Sequence, residues 1–217
     1  SKKTGQSDSC KQDKNTKECI KQDETKTSVE TQVSKYPNVV RIEPVAPKTQ
    51  INKEWEALVK ASTGTDMEAL MVASKAVLAN PKASTNEQSL AANQLVQTYL
   101  KQKGAYDKAI EYAKIALEKN GLDNNTHYDL MLLTGQMLMA EKKYADSLLY
   151  VDLFAKETGV SDVVVNKTRG NDLYRLERYP EAATALQKAY DADKTDPVLA
   201  TILVDAYTKS GNTAKAK

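Results

Sequence analysis

The residues able to do chemistry are few in this chain of 217 residues. It contains a single histidine, His127, which any Ser–His–Asp or Cys–His mechanism would have to use. The stretch around it, NNTHYD, offers neither a nucleophile elbow nor a Gly-rich turn. Aspartates and glutamates are plentiful, but they stand beside lysines on predicted helix faces, where solvated pairs are the usual arrangement. We therefore interpret His127 as a structural or surface residue, and we predict that the chain is not an enzyme.

Cys10 and Cys19 are the only cysteines, at the spacing C-x8-C in a polar stretch. Two cysteines do not complete a zinc site, and the sequence has no phosphate-cradling loop or paired-histidine motif, so we expect no metal and no cofactor. A disulfide between them fits an oxidising compartment, and two free thiols are the alternative. Long polar stretches that follow a cleaved signal peptide fit such a compartment. The expected location is thus the bacterial periplasm or the exterior, with the cytoplasm as the alternative.

The composition argues against nucleic acid and membranes as partners, and it favours one fold class. The formal net charge is +2, which is too small to favour nucleic acid or an anionic membrane. No run approaches the 18 or so apolar residues of a spanning helix, so we expect no direct insertion into a membrane. Long alternating runs of β-branched residues are missing, and glycine and proline are scarce, at eight and six residues. These features favour an all-α fold.

The chain divides into two regions of different character. Residues 1–50 are rich in Lys, Thr, Gln and Asp and nearly free of large apolar side chains until residue 36, so we expect a largely disordered tail. The stretch 36–48, with three prolines, is predicted to be an extended linker that can dock on a folded surface. Residues 51–217 have apolar positions at three- and four-residue spacing, which predicts helices of 12–16 residues joined by short turns.

A spacing recurs within the helical region. Tyr106 stands three residues before a small residue, Ala109, and a second small residue, Ala116, follows seven positions later. Related patterns begin at Tyr144 and Tyr179. The first small residues of the series lie 40, 38, 35 and 34 positions apart along the numbering: Ala69, Ala109, Ser147, Ala182 and Ala216. Small side chains at this spacing let helix backbones approach closely on one face, so the pattern predicts stacked helical hairpins.

On this pattern, residues 52–217 resemble tetratricopeptide (TPR) repeats, about four and a half of them with the last one truncated. The period is near the 34 residues of that family, and the best match is QLVQTYLKQKGAYDKAIEYAKIALEKNG at 94–121. The resemblance implies an α-solenoid that forms a right-handed superhelix, with the first helix of each pair lining a concave face. Phe154 in place of a small residue and Arg169 in place of a Leu depart from the pattern, and predict a loose junction after the third repeat.

The resemblance implies that the chain binds another protein or a peptide in the concave groove. Amides there can donate to and accept from a peptide backbone, apolar residues can seat a side chain, and basic residues can meet a carboxylate. The candidate ligand-facing residues are Asn93, Gln97, Leu132, Gln136, Met139, Lys167, Asn171, Tyr174, Arg175 and Asp205. The alternative is a self-assembly module, forming a homo-oligomer through the open C-terminal repeat or through docking of residues 36–48.

Overall fold

The computed structural model describes residues 33–216 without a break, and before them Lys11–Gln12 and Cys19–Ile20. The chain divides into two compact units, Ser1–Val33 and Ser34–Lys217. In the first unit, β1 (Lys11–Gln12) pairs antiparallel with β2 (Cys19–Ile20), with Lys11 opposite Ile20. Cys10 lies outside the described residues, so its disulfide with Cys19 stays a prediction. The second unit begins at Ser34, earlier than residue 51, because residues 34–50 pack on the helices.

The described part of the second unit is all-helical, and each helix packs on the next one along the chain. Its helices are α1 (Asn52–Ser62), α2 (Met67–Ala79), α3 (Thr85–Leu100), α4 (Tyr106–Lys119), α5 (Asn124–Ala140), α6 (Tyr144–Thr158), α7 (Val163–Arg175), α8 (Tyr179–Ala192), α9 (Pro197–Lys209) and α10 (Thr213–Ala216). The pairs α1–α2, α3–α4, α5–α6, α7–α8 and α9–α10 are the five predicted repeats. The predicted α-solenoid is confirmed.

Capping side chains fix the start of the first helix in repeats two to five. Ser84 accepts a hydrogen bond from the amide of Glu87, whose carboxylate bonds back to Ser84, a capping box at the start of α3. The side chains of Asp123, Asp162 and Asp196 accept hydrogen bonds from backbone amides in the first turns of α5, α7 and α9, without the reciprocal bond of a capping box. The helices that line the inner face of the stack therefore begin at defined residues.

The second helices of repeats two to five begin differently, after a turn that repeats along the stack. The residue before each N-cap is left-handed: Gly104 (φ 81°), Lys142 (φ 60°), Glu177 (φ 60°) and Gly211 (φ 80°). Glycine adopts this conformation without strain, whereas Lys and Glu do not. The turn geometry is thus set by the repeat and not by local residue preference alone.

The recurring small residues lie where helices approach most closely, as the spacing predicts. A Cβ added at Gly135 of α5 would lie 2.7 Å from Val151 Cγ2 of α6. One added at Gly170 of α7 would lie 2.6 Å from Leu186 Cγ of α8. The small residues on the opposing helices are fully buried: Ala109, Ser147 and Ala182. A larger side chain at these positions would force the two helices of a repeat apart.

Candidate functional site

The inner face of the stack carries a cavity of about 430 Å³ between α5, α7 and α9, which we call the groove cavity. Four of the ten predicted groove residues line it: Gln136, Met139, Lys167 and Asn171. Apolar and small side chains complete the walls and floor: Val163, Val164, Thr168, Leu186, Val198, Leu199 and Ile202. The volume falls within the range that holds small ligands or side chains. The repeats thus bring the middle of the predicted site into one mostly apolar concavity.

Two amides in this cavity have unused hydrogen-bonding capacity. Within the described part of the chain, no hydrogen bond involves the side chain of Gln136 or Asn171. By contrast, the Thr168 hydroxyl donates to the Val164 carbonyl at 2.8 Å. An amide that can both donate and accept, beside an apolar wall, suits an extended peptide backbone.

Lys167, expected to meet a carboxylate of a ligand, is paired within the chain. Its ammonium group donates to the carboxylate of Asp196, the N-cap of α9. That carboxylate also accepts from the amides of Val198 at 3.0 Å and Leu199 at 3.2 Å. The hydrogen bond from Lys167 holds the pKa of Asp196 below its usual value. Lys167 therefore ties α7 to the start of α9 at the rim of the cavity.

Tyr174 and Asp205 form a second bridge between α7 and α9. The Tyr174 hydroxyl donates to the Asp205 carboxylate, and Lys209 Nζ lies 3.1 Å from Asp205 Oδ2 and 3.2 Å from the Tyr174 hydroxyl. The ammonium group also lies 5.1 Å and 5.2 Å from the ring centroids of Tyr174 and Tyr179. The hydrogen bond from Tyr174 lowers the pKa of Asp205. Arg175 is exposed, with its guanidinium 5.9 Å from the Tyr174 ring centroid.

The remaining predicted residues do not line the groove cavity. Leu132 of α5 is half-buried and packs against the cluster around Tyr128 and Phe154. Asn93 and Gln97 lie on α3, where Gln97 is exposed and Asn93 is half-buried. The structure therefore brings four of the ten predicted residues together in one cavity, and their role in binding stays a prediction.

His127 is buried on α5, with its ring edge-on to Tyr128 at 5.0 Å between centroids. Burial, and then the positive charge of Arg41, lower the pKa of His127 to about 4. The imidazole is accordingly neutral at pH 7. Within the described residues, no group of three or more His, Cys, Asp or Glu side chains could hold a metal ion, and no helix is long and apolar enough to cross a membrane.

The sequence did not reveal how residues 34–50, which we call the strap, are held. Arg41 donates from Nε to Asn120 Oδ1 at 2.8 Å and from Nη1 to Asn124 Oδ1 at 2.7 Å. Its Nη2 donates to the carbonyls of Leu122 at 2.7 Å and Asn120 at 3.2 Å. In return, Asn124 Nδ2 donates to the Arg41 carbonyl at 3.1 Å, and the Asn124 amide donates to Glu43 Oε1 at 2.9 Å. The strap thus lies at the turn from α4 to α5, at the edge of the stack.

Tyr36 packs the start of the strap against the two helices of the third repeat, α5 and α6. Its ring is edge-on to Tyr128 and Phe154, with centroids 5.7 Å and 5.5 Å away. Its hydroxyl donates to Asp129 Oδ1 at 2.5 Å, and Lys35 Nζ lies 2.7 Å from Asp129 Oδ2. For the Arg41 contacts a signal existed in the sequence: Arg41 is the only arginine before residue 169 in a lysine-rich chain, and its planar guanidinium group suits several hydrogen bonds at once.

Comparison with known proteins shows which solved structures share this fold. No family model matches the chain, and no curated protein matches it. Solved structures do: YrrB, a TPR protein with an unusual peptide-binding site, is 18% identical with a TM-score of 0.57, covering 76% of this chain and 78% of YrrB. MamA AMB-1 is 19% identical with a TM-score of 0.53, covering 76% of this chain and 89% of MamA. At these identities the likeness concerns the fold, and the chain has a TPR-like fold, as predicted.

Proposed function

We propose that this chain is a non-enzymatic scaffold that binds an extended segment of another protein in the groove cavity. The observation that carries the proposal is the pair of unbonded amides, Gln136 and Asn171, beside an apolar wall. The peptide-binding site described for YrrB, which shares the fold, supports it.

The walls favour a partner that inserts an apolar side chain. Val164 and Val198 are 44% and 62% exposed, although they border a concave surface. Covering such side chains together with a ligand's own apolar group contributes roughly 1.5–3 kcal/mol per buried side chain. The exposed valines are therefore the main source of affinity.

The two amides determine the orientation and the register of a bound peptide. Each can donate to a peptide carbonyl and accept from a peptide amide. A net contribution of about 1 kcal/mol for each hydrogen bond corresponds to a few-fold change in affinity. Because Lys167 and Asp205 are paired within the chain, the cavity offers little unpaired charge. We therefore infer a neutral, apolar segment as the partner, with Arg175 as the exposed cation beside it.

The proposal can be tested with random peptides displayed on phage, selected on the folded chain and then synthesised. Titration calorimetry would compare the wild-type chain with Asn171→Ala and Gln136→Ala, each expected to weaken binding about fivefold. Gln97→Ala is the matched control, since Gln97 is an exposed amide of α3 outside the cavity. Circular dichroism would confirm that each variant keeps its helices. Equal binding by all variants, or failure to select any peptide, would contradict the proposal.

A further inference from the structure

Two polar bridges join α7 to α9 at the groove cavity. In the first bridge, Lys167 of α7 donates to the carboxylate of Asp196, the N-cap of α9. In the second, the hydroxyl of Tyr174 of α7 donates to the carboxylate of Asp205 of α9, which also lies 3.1 Å from Lys209 Nζ. Lys167 and Tyr174 are seven residues apart, which corresponds to about 10 Å along α7. The bridges therefore tie the two helices together at two separate points.

Each bridge lies within a turn of two residues that line the cavity, one on each helix. At the first bridge, Val164 precedes the lysine by one turn on α7, and Val198 follows the aspartate in the first turn of α9. At the second bridge, Asn171 precedes the tyrosine by one turn, and Ile202 precedes the aspartate by one turn. Residues three or four positions apart are neighbours on a helix surface. Each bridge thus holds a side chain of α7 at a defined separation from a side chain of α9.

The floor of the cavity is held by the hydrophobic core and not by the bridges. Leu186 of α8 and Leu199 of α9 line the cavity, and each is only 1% exposed. They belong to one buried cluster with Leu173 of α7. The charged side chains of the bridges are partly exposed, and exposed ion pairs contribute little to stability. Loss of a bridge should therefore loosen the rim of the cavity and leave the fold intact.

From this geometry we propose that the two bridges set the width of the groove cavity, and that they thereby determine the size of the apolar side chain that the cavity accepts. Walls that are held in place before a ligand arrives lose less entropy on binding, and a closely packed wall rejects a larger side chain. Lys167, Tyr174 and Asp205, which the sequence predicts to face the ligand, are then positioning residues. The effect on binding rests on the function proposed above, whereas the effect on width does not.

Spin labels on the two valines measure the width without any ligand. The labels would be attached at Val164→Cys and Val198→Cys, in chains that also carry Cys10→Ser and Cys19→Ser. Lys167→Met removes the ammonium group of the first bridge and keeps a long unbranched side chain. The dipolar broadening of the electron paramagnetic resonance spectrum should decrease in this variant, because the labels move apart.

Tyr207→Phe is the matched control for the loss of a polar contact between helices. The Tyr207 hydroxyl of α9 donates to Gln187 Oε1 of α8 at 2.6 Å, and neither residue lines the groove cavity. This control should leave the spectrum as it is in the labelled parent chain. A spectrum that Lys167→Met leaves unchanged, or that Tyr207→Phe changes equally, would overturn the proposal.

The peptide selected in the preceding experiment tests the effect on specificity. Its main apolar residue, found by alanine scanning, would be replaced by valine in one peptide and by phenylalanine in another. Tyr174→Phe removes the hydroxyl of the second bridge and keeps the ring. This variant and Lys167→Met should each raise the affinity for the phenylalanine peptide relative to the valine peptide by about threefold, whereas a general loss of structure would weaken both peptides alike.

The two readouts separate failure of this inference from failure of the proposed function. A ratio of affinities that both variants leave unchanged would refute the effect on specificity. If the wild-type chain binds no peptide, the proposed function is contradicted and the effect on specificity with it. The spin-label spectra would still decide whether the bridges set the width.

Discussion

A buried carboxyl at the junction of the third and fourth repeats should make stability depend on pH. Asp172 of α7 is fully buried. Its Oδ2 accepts from the hydroxyl of Ser147 on α6, and its Oδ1 has no partner within the described residues. Burial raises the pKa of Asp172 from 3.8 to about 7, opposed by the Ser147 hydrogen bond and assisted by the charge of Asp152. The Asp152 carboxylate is itself 2.7 Å from Arg169 Nε.

The direction of the effect follows from proton binding. Between pH 4 and pH 7 the folded state keeps the proton on Asp172, whereas the unfolded state releases it. The stability that the buried neutral carboxyl provides is therefore complete below pH 4, falls as the pH rises towards 7, and then stays constant. Each pKa unit corresponds to about 1.4 kcal/mol, so the whole change amounts to about 4 kcal/mol.

Asp172→Asn removes the titration while keeping the shape of the side chain. Urea unfolding followed by circular dichroism, at pH values from 4 to 8, would give the difference in unfolding free energy between variant and wild type. Taking this difference cancels the carboxyls common to both. As the pH rises from 4 to 7, the unfolding free energy of the variant should increase by about 4 kcal/mol relative to that of the wild type. Asp152→Asn, half-exposed on α6, is the control and should show a much smaller trend. A difference that does not change with pH would refute the reasoning.

Three further predictions concern the turns, the strap and the tail. Lys142→Gly should raise the unfolding free energy by about 1 kcal/mol, because it relieves a left-handed backbone, whereas Gly104→Ala should lower it; urea unfolding measures both. Tyr36→Ala should destabilise by about 2 kcal/mol, since it removes two aromatic contacts, and hydrogen exchange should speed up first at the ends of α5 and α6. Mass spectrometry after alkylation should show Cys10 and Cys19 unlabelled until reductant is added; labelling without reductant would contradict the disulfide.

The repeat architecture could be predicted from the sequence because close helix packing allows few residue types. Gly170 and Ala182 sit where a Cβ or a larger side chain would collide with the facing helix, so their spacing encodes the helix pair. The groove could be predicted less well. Which residues of the inner face become concave depends on the positions of three helices at once. Lys167 lies on the predicted face, yet its ammonium group forms an ion pair with Asp196, which is 29 residues away in the chain.

The strap could be predicted only as a segment able to dock. Its position depends on contacts such as Lys35 with Asp129 and Arg41 with Asn120, which are 94 and 79 residues apart in sequence. No periodic pattern connects residues at such distances. Their partners lie at the end of α4, where Asn120 is the C-cap, and in the first turns of α5, which holds Asp129. The repeat determines the positions of both. The position of the strap can therefore be predicted only once the positions of the repeats are known.

Phe154 shows how the strap and the repeats depend on each other. A large residue at a position that normally holds a small one prevents the next helix from packing closely, and on this ground the sequence predicts a loose junction. In the structure Phe154 is only 1% exposed. It packs in a buried cluster with Tyr128 and Val165, and the ring of Tyr36 lies edge-on against it. Part of the core at this junction is thus supplied from outside the repeats. The start of the strap therefore belongs to the core at this junction, although it lies outside the repeats in sequence.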